Sequence, residues 1–170
     1  MDGHGSGHGA AVGAAGWLSA IQASGLGEAL RGSLWLYPLV EVVHVLASAI
    51  LVGSILVYDL RVLGMGRAVP VAALARLALP ASAGALAAAV ITGAALFTAE
   101  ATAYAANPAF LAKLGLIALG MVNVAWTHAG PMRGVDRWDT HAPAAARIGA
   151  GISLAVWTGT AAAGRLIAYL

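Results

Sequence analysis

No cysteine occurs in the chain. Disulfides, thiolate-bound zinc, cysteine-held iron–sulfur clusters and thiol nucleophiles are therefore excluded, and any chemistry must come from His, Lys, Glu, Asp, Arg or a bound cofactor. Charge is almost as scarce: 9% of the 170 residues are charged, against 61% that are hydrophobic. With a mean hydropathy of +0.85, too few polar side chains remain to cover a water-soluble globule. The chain has no Gly-rich phosphate loop opening a helix after a strand, no Ser/His/Asp arrangement in a recognisable motif and no strong internal repeat, which argues against a nucleotide enzyme. Met1-Asp2-Gly3-His4 lacks a basic region followed by an apolar core, so no cleavable signal peptide is expected.

What the chain does have is four long apolar blocks. A span needs about 20 apolar residues to cross roughly 30 Å of hydrocarbon, and the blocks meet this near residues 38–58, 80–99, 108–127 and 148–169. The first three open on Pro38, Pro80 and Pro108, and proline suits a first helical turn because its missing N–H would be unpaired there. The expected fold is thus all-α, an integral membrane four-helix bundle occupying 33–170. Residues 1–16 read as a flexible Gly/Ala/His tail. Residues 17–32 mix apolar Trp17, Leu18, Ile21, Leu26 and Leu30 with Ser19, Gln22, Ser24 and Glu28, too short and polar to span, and read as an interfacial amphipathic helix.

The net charge of +2 does not point to nucleic acid, because the basic residues sit at loop edges beside apolar blocks. Arg61, Arg67 and Arg76 lie between the first two spans, and Arg133, Arg137 and Arg147 between the last two, partly offset by Asp136 and Asp139. The positive-inside bias then puts both loops in the cytoplasm and both termini in the periplasm of a bacterial inner membrane. The lipid bilayer is one partner and other membrane subunits are the expected others. Runs such as Ala81–Ala85 and Gly159–Gly164 allow close helix contact.

Ionisable residues inside a span are functional suspects. Glu41, His44, Ser48 and Asp59 share one face of the first span at near-whole-turn spacings, and the third span carries Lys113, Asn123 and His128. One haem held by His44 and His128 is unfavourable, because the two parallel spans put these residues roughly 20 Å apart in depth at 1.5 Å per residue. The same ruler puts Lys113 level with His44, and the returning fourth span brings Arg165 to a similar height. An outer cluster of Glu41, His44, Lys113 and Arg165 is expected. Each member also has a plainer reading: helix-dipole complement or ion pair for Glu41, Lys113 and Arg165, a packed neutral residue for His44, loop-edge residues for His128 and His141. His4 and His8 form a His-x-x-x-His that could hold a metal ion weakly.

The string LWLYPLVEVVHVLASAILVGSILVYDLRVLG at Leu34–Gly64 resembles the opening of a family of small bacterial membrane proteins of unknown function. Further segments agree: Leu79-Pro80, TGAALF from Thr92, YAANPAFLAKLGL from Tyr104, Asn123 with His128, and WTGTAAAGRLIAY from Trp157. This resemblance covers residues 17–170 and implies topology more than activity. A weaker likeness, carried by His44 with Val52-Gly53-Ser54 and by Lys113-Leu114, is to the four-helix core of haem-containing protoporphyrinogen oxidases and copper-resistance D-type membrane proteins, which have an aromatic where Val52 stands.

The leading expectation is a membrane redox protein, a partner in a larger electron-transfer complex and not a stand-alone enzyme. It binds b-type haem, interacts with quinone, or both. His44 is the candidate iron ligand, Lys113 a second ligand or propionate partner, Arg165 a propionate partner and Glu41 an orienting group. The alternatives are a cofactor-free structural subunit, whose Glu41 and Lys113 form an ion pair, and a copper or other metal-handling protein using His4, His8, Glu41 and His44.

Overall fold

The computed structural model describes residues 16–135, 138 and 142–170, all of them helical or in turns and connections, with no strand among them. Seven helices follow in order: α1 at 16–22, α2 Gly25–Gly32, α3 Leu36–Leu63, α4 Val71–Ala99, α5 Ala101–Ala106, α6 Pro108–Ala129 and α7 Ala144–Leu166. The tail, with His4 and His8, lies outside the described residues, as do Asp136, Arg137, Asp139 and His141.

Three helices, α3, α4 and α6, are long and apolar enough to cross a membrane. α7 has 23 residues, but its glycines, hydroxyl side chains and Arg147 and Arg165 keep it out of that set. At 1.5 Å per residue, the 28 residues of α3 reach about 42 Å, more than the roughly 30 Å of hydrocarbon.

Local sequence explains most helix ends. Gly64 stops α3 at φ +112°, a left-handed conformation that glycine adopts without a Cβ penalty. The N–H of Met65 then bonds the Leu60 carbonyl at 3.0 Å. Asn107 starts α6 by accepting from the N–H groups of Ala109 and Phe110, with Pro108 in the first turn, a side-chain cap of the usual kind. α4 departs from the expected span. It begins at Val71 behind Pro70, so Pro80 lies inside the helix and does not open it. The ring removes one intrahelical bond, a defect that membrane helices tolerate through packing and local adjustment.

The segment expected as one helix over 17–32 is two short helices broken at Ala23-Ser24. Ser24 caps the second by accepting from the Gly27 N–H. α2 docks on the end of α4: Arg31 Nη1 donates to the Ala99 carbonyl at 2.9 Å, satisfying one of the carbonyls left open at a helix C-terminus. Thr102 Oγ1 meets Gln22 Oε1 at 2.9 Å, and Leu30 is buried.

The four long helices alternate in direction. α3 packs on α4 and α7, and α7 on α6, so the order across the molecule is α4, α3, α7, α6. The 64–70 and 130–143 connections share one end, where Tyr58, Val62, Val71, Ala75, Ala78, Ala146 and Ala150 form a core. Trp157 fills the centre with Leu51 and Ala85. Glycines set the closeness of α6 and α7: a Cβ on Gly149 would lie 2.4 Å from Thr127 Cγ2, and one on Gly120 would lie 3.0 Å from the Trp157 ring. At the opposite end Phe97, Tyr104 and Phe110 stack, with centroids 5.4–6.4 Å apart.

Candidate functional site: a histidine of fixed tautomer between α3 and α4

His44 lies two turns into α3 and faces the second half of α4. Its Nδ1 is 3.0 Å from Thr92 Oγ1. The Thr92 hydroxyl has one proton, and its shortest contact, 2.7 Å, is with the Ala88 carbonyl four residues back. With that proton committed, Thr92 Oγ1 accepts, and His44 Nδ1–H donates. The ring has a second hydrogen-bond partner, the Ala89 backbone carbonyl, which can only accept; with Nδ1–H as the donor, Nε2 keeps its lone pair. Gly93 makes room for the ring: a Cβ there would lie 3.0 Å from His44 Cε1. A ring anchored through Nδ1–H with a bare Nε2 is the arrangement that metal-ligating histidines use, because the anchoring bond fixes the tautomer and orients the lone pair.

Glu41 and Lys113 both lie within electrostatic reach of His44, so three of the four residues expected to cluster share a region. Lys113 extends along α7, its Nζ 3.3 Å from where a Gly164 Cβ would be. It has no ion-pair or hydrogen-bond partner among the described residues. Arg165 turns away to Tyr169, donating to its hydroxyl at 2.6 Å with the guanidinium 5.0 Å from the ring centroid. His128 occupies the far end of α6, where Nδ1 meets the Val124 carbonyl at 2.9 Å. No group of three or more His, Asp or Glu side chains placed to hold a metal ion occurs among the described residues.

Above His44, the Tyr37 and Tyr104 hydroxyls are 3.3 Å apart. Burial, first, and then the hydrogen bond to Tyr37 hold the Tyr104 phenol well above its ordinary range, with the Glu41 and Glu100 charges acting in the same sense.

The sequence reading did not assign Thr92 a role, although it sits in the quoted TGAALF run; its partner becomes visible only once the α3–α4 register is known. Asp59 shares the helix face of His44 but lies in the other half of the bundle. It is 3% exposed, with the Ser153 side chain as its hydrogen-bonding neighbour and Oδ2 unpartnered. Trp157 Nε1 is likewise buried without a partner.

Apolar helices of spanning length, an interior made largely of small residues and isolated polar groups held between helices define a helical membrane protein. The chain belongs to the Family of unknown function (DUF6644), which it matches over residues 24–170. Neither the curated proteins nor the solved structures contain a match to it.

Proposed function

We propose that this protein is a membrane redox subunit that holds a b-type haem through His44 Nε2. The observation that supports the reading is the anchored ring: Thr92 Oγ1 accepts from Nδ1–H, the Ala89 carbonyl is the ring's second hydrogen-bond partner, and in this tautomer Nε2 keeps a lone pair in the apolar part of the bundle. When bound, haem supplies one-electron transfer. The chain's own contribution is to orient His44 by way of Thr92, to leave room for the ring at Gly93, and to hold the Lys113 ammonium nearby as a partner for a propionate. His44 is the one histidine of this cluster among the described residues, so the second ligand is Lys113 or a residue of a neighbouring membrane subunit. Quinone is the second ligand of the same chemistry, its reduced quinol form donating a hydroxyl proton in a hydrogen bond to Nε2. The plainly structural alternative called for an ion pair between Glu41 and Lys113, and these residues form none.

In this reading the protein resides in a bacterial inner membrane, α7 is the fourth span, α1 and α2 lie at the outer interface and both termini are periplasmic, in accord with arginines gathered at the end that holds the two longer connections. The test is an optical spectrum of natively expressed, detergent-purified protein, oxidised and dithionite-reduced. A sharp reduced α-band that disappears in His44→Ala and weakens or shifts in Thr92→Val is expected. A featureless spectrum from well-folded protein overturns the haem assignment.

A further inference from the structure

The end of the bundle opposite His44 contains a small cavity of about 50 Å³ into which three arginines converge: Arg61 from the last turn of α3, Arg67 from the 64–70 connection and Arg147 from the first turn of α7. Arg61 is the unusual member. It is 6% exposed, and its Nε donates to the Val69 carbonyl, while its two Nη groups have no acceptor among the described residues. They are not fully enclosed, and Arg61 lines the cavity. Arg67 Nε donates to the Gly64 carbonyl at 3.3 Å, which leaves its Nη groups free, and Arg147 has no side-chain partner among the described residues.

Three guanidinium groups around one cavity repel one another; Arg67 and Arg147 are exposed, whereas Arg61 is a charge removed from water, which is costly without a counter-charge. Among the described residues no carboxylate lines this cavity. The missing element is therefore an anion. The volume exceeds the roughly 10–15 Å³ that one water needs by a margin suited to one tetrahedral oxyanion, and guanidinium forks match phosphate oxygens in planar, two-point contacts. We infer that this cavity is a binding site for a phosphate oxyanion, presented either by the headgroup of an anionic phospholipid or by free phosphate. A basic pocket between helix ends at the membrane surface is a known kind of headgroup site.

The experiment uses the full chain, purified and stripped of lipid in a neutral detergent. Thermal unfolding is followed with sodium phosphate against sodium chloride at matched ionic strength, and native mass spectrometry compares phosphatidylglycerol with phosphatidylcholine. The Arg67→Gln/Arg147→Gln double variant spares buried Arg61, and Arg76→Gln, outside the cavity, is the control. Phosphate or phosphatidylglycerol is expected to raise the unfolding temperature or be retained, and the double variant is expected to reduce apparent affinity at least tenfold while Arg76→Gln does not. A response to phosphatidylglycerol alone identifies the lipid as the source; a response to inorganic phosphate as well identifies the free oxyanion. No response to either, or equal loss in Arg76→Gln, overturns the site.

Discussion

Single polar side chains carry much of the specificity of this interior. Asn123 is buried, and its Nδ2 donates to the Gly149 carbonyl at 3.1 Å across the α6–α7 contact. Interhelical hydrogen bonds in membranes average about 0.6 kcal/mol and reach about 1.7; Asn123→Ala should lower unfolding stability within that range in detergent, measured against Thr158→Ala, whose hydroxyl bonds only within its own helix. Tyr104 supplies a pH signature. Its folded phenol holds its proton more tightly than the ordinary value of 10.0, so the folded state binds the extra proton above that pH and the unfolded state does not. The stability from this group is complete below about pH 10 and declines above it. Thermal unfolding from pH 9 to 11 should fall less steeply in Tyr104→Phe than in the parent. Which residues were polar and intramembrane was legible in the sequence; their pairings were not. Asn123 stood out by composition alone, whereas its acceptor is a backbone carbonyl of a glycine 26 residues away, and no side-chain pattern marks a carbonyl.

At the scale of elements, the long apolar runs announced α3, α4 and α6 because length and hydropathy suffice for such helices. Pro80 misled the expectation for α4, since a proline at a helix start and one inside a membrane helix look the same in sequence. The fracture of 17–32 into α1 and α2 was hidden for another reason: it depends on docking. A Cβ on Gly27 would lie 2.6 Å from the Gln22 carbonyl oxygen and 2.7 Å from that of Thr98, both backbone atoms that cannot rotate away. Gly27→Ala should therefore cost about 1–3 kcal/mol through overpacking and expose the end of α4 to hydrogen exchange. Gly25→Ala, with nothing within 4 Å of the new Cβ, should leave both readings unchanged.

For the whole molecule, the absence of native cysteine makes orientation directly measurable. Met65 and Arg133 lie in the connections at one end, and Ala103 lies in α5 at the other; all three are exposed. Single cysteines at 65 and 133 should resist a membrane-impermeant maleimide in intact spheroplasts and react after permeabilisation, whereas a cysteine at 103 should react in both. The opposite pattern would invert the proposed topology. The bond from Arg31 to the Ala99 carbonyl has a further consequence, one of timing. These residues are 68 positions apart, and a ribosome adding about 5–20 residues per second needs roughly 3 to 14 s to make that stretch. For that interval Arg31 has no carbonyl to dock on, so α2, made before α4, reaches its final position only after α4 is complete.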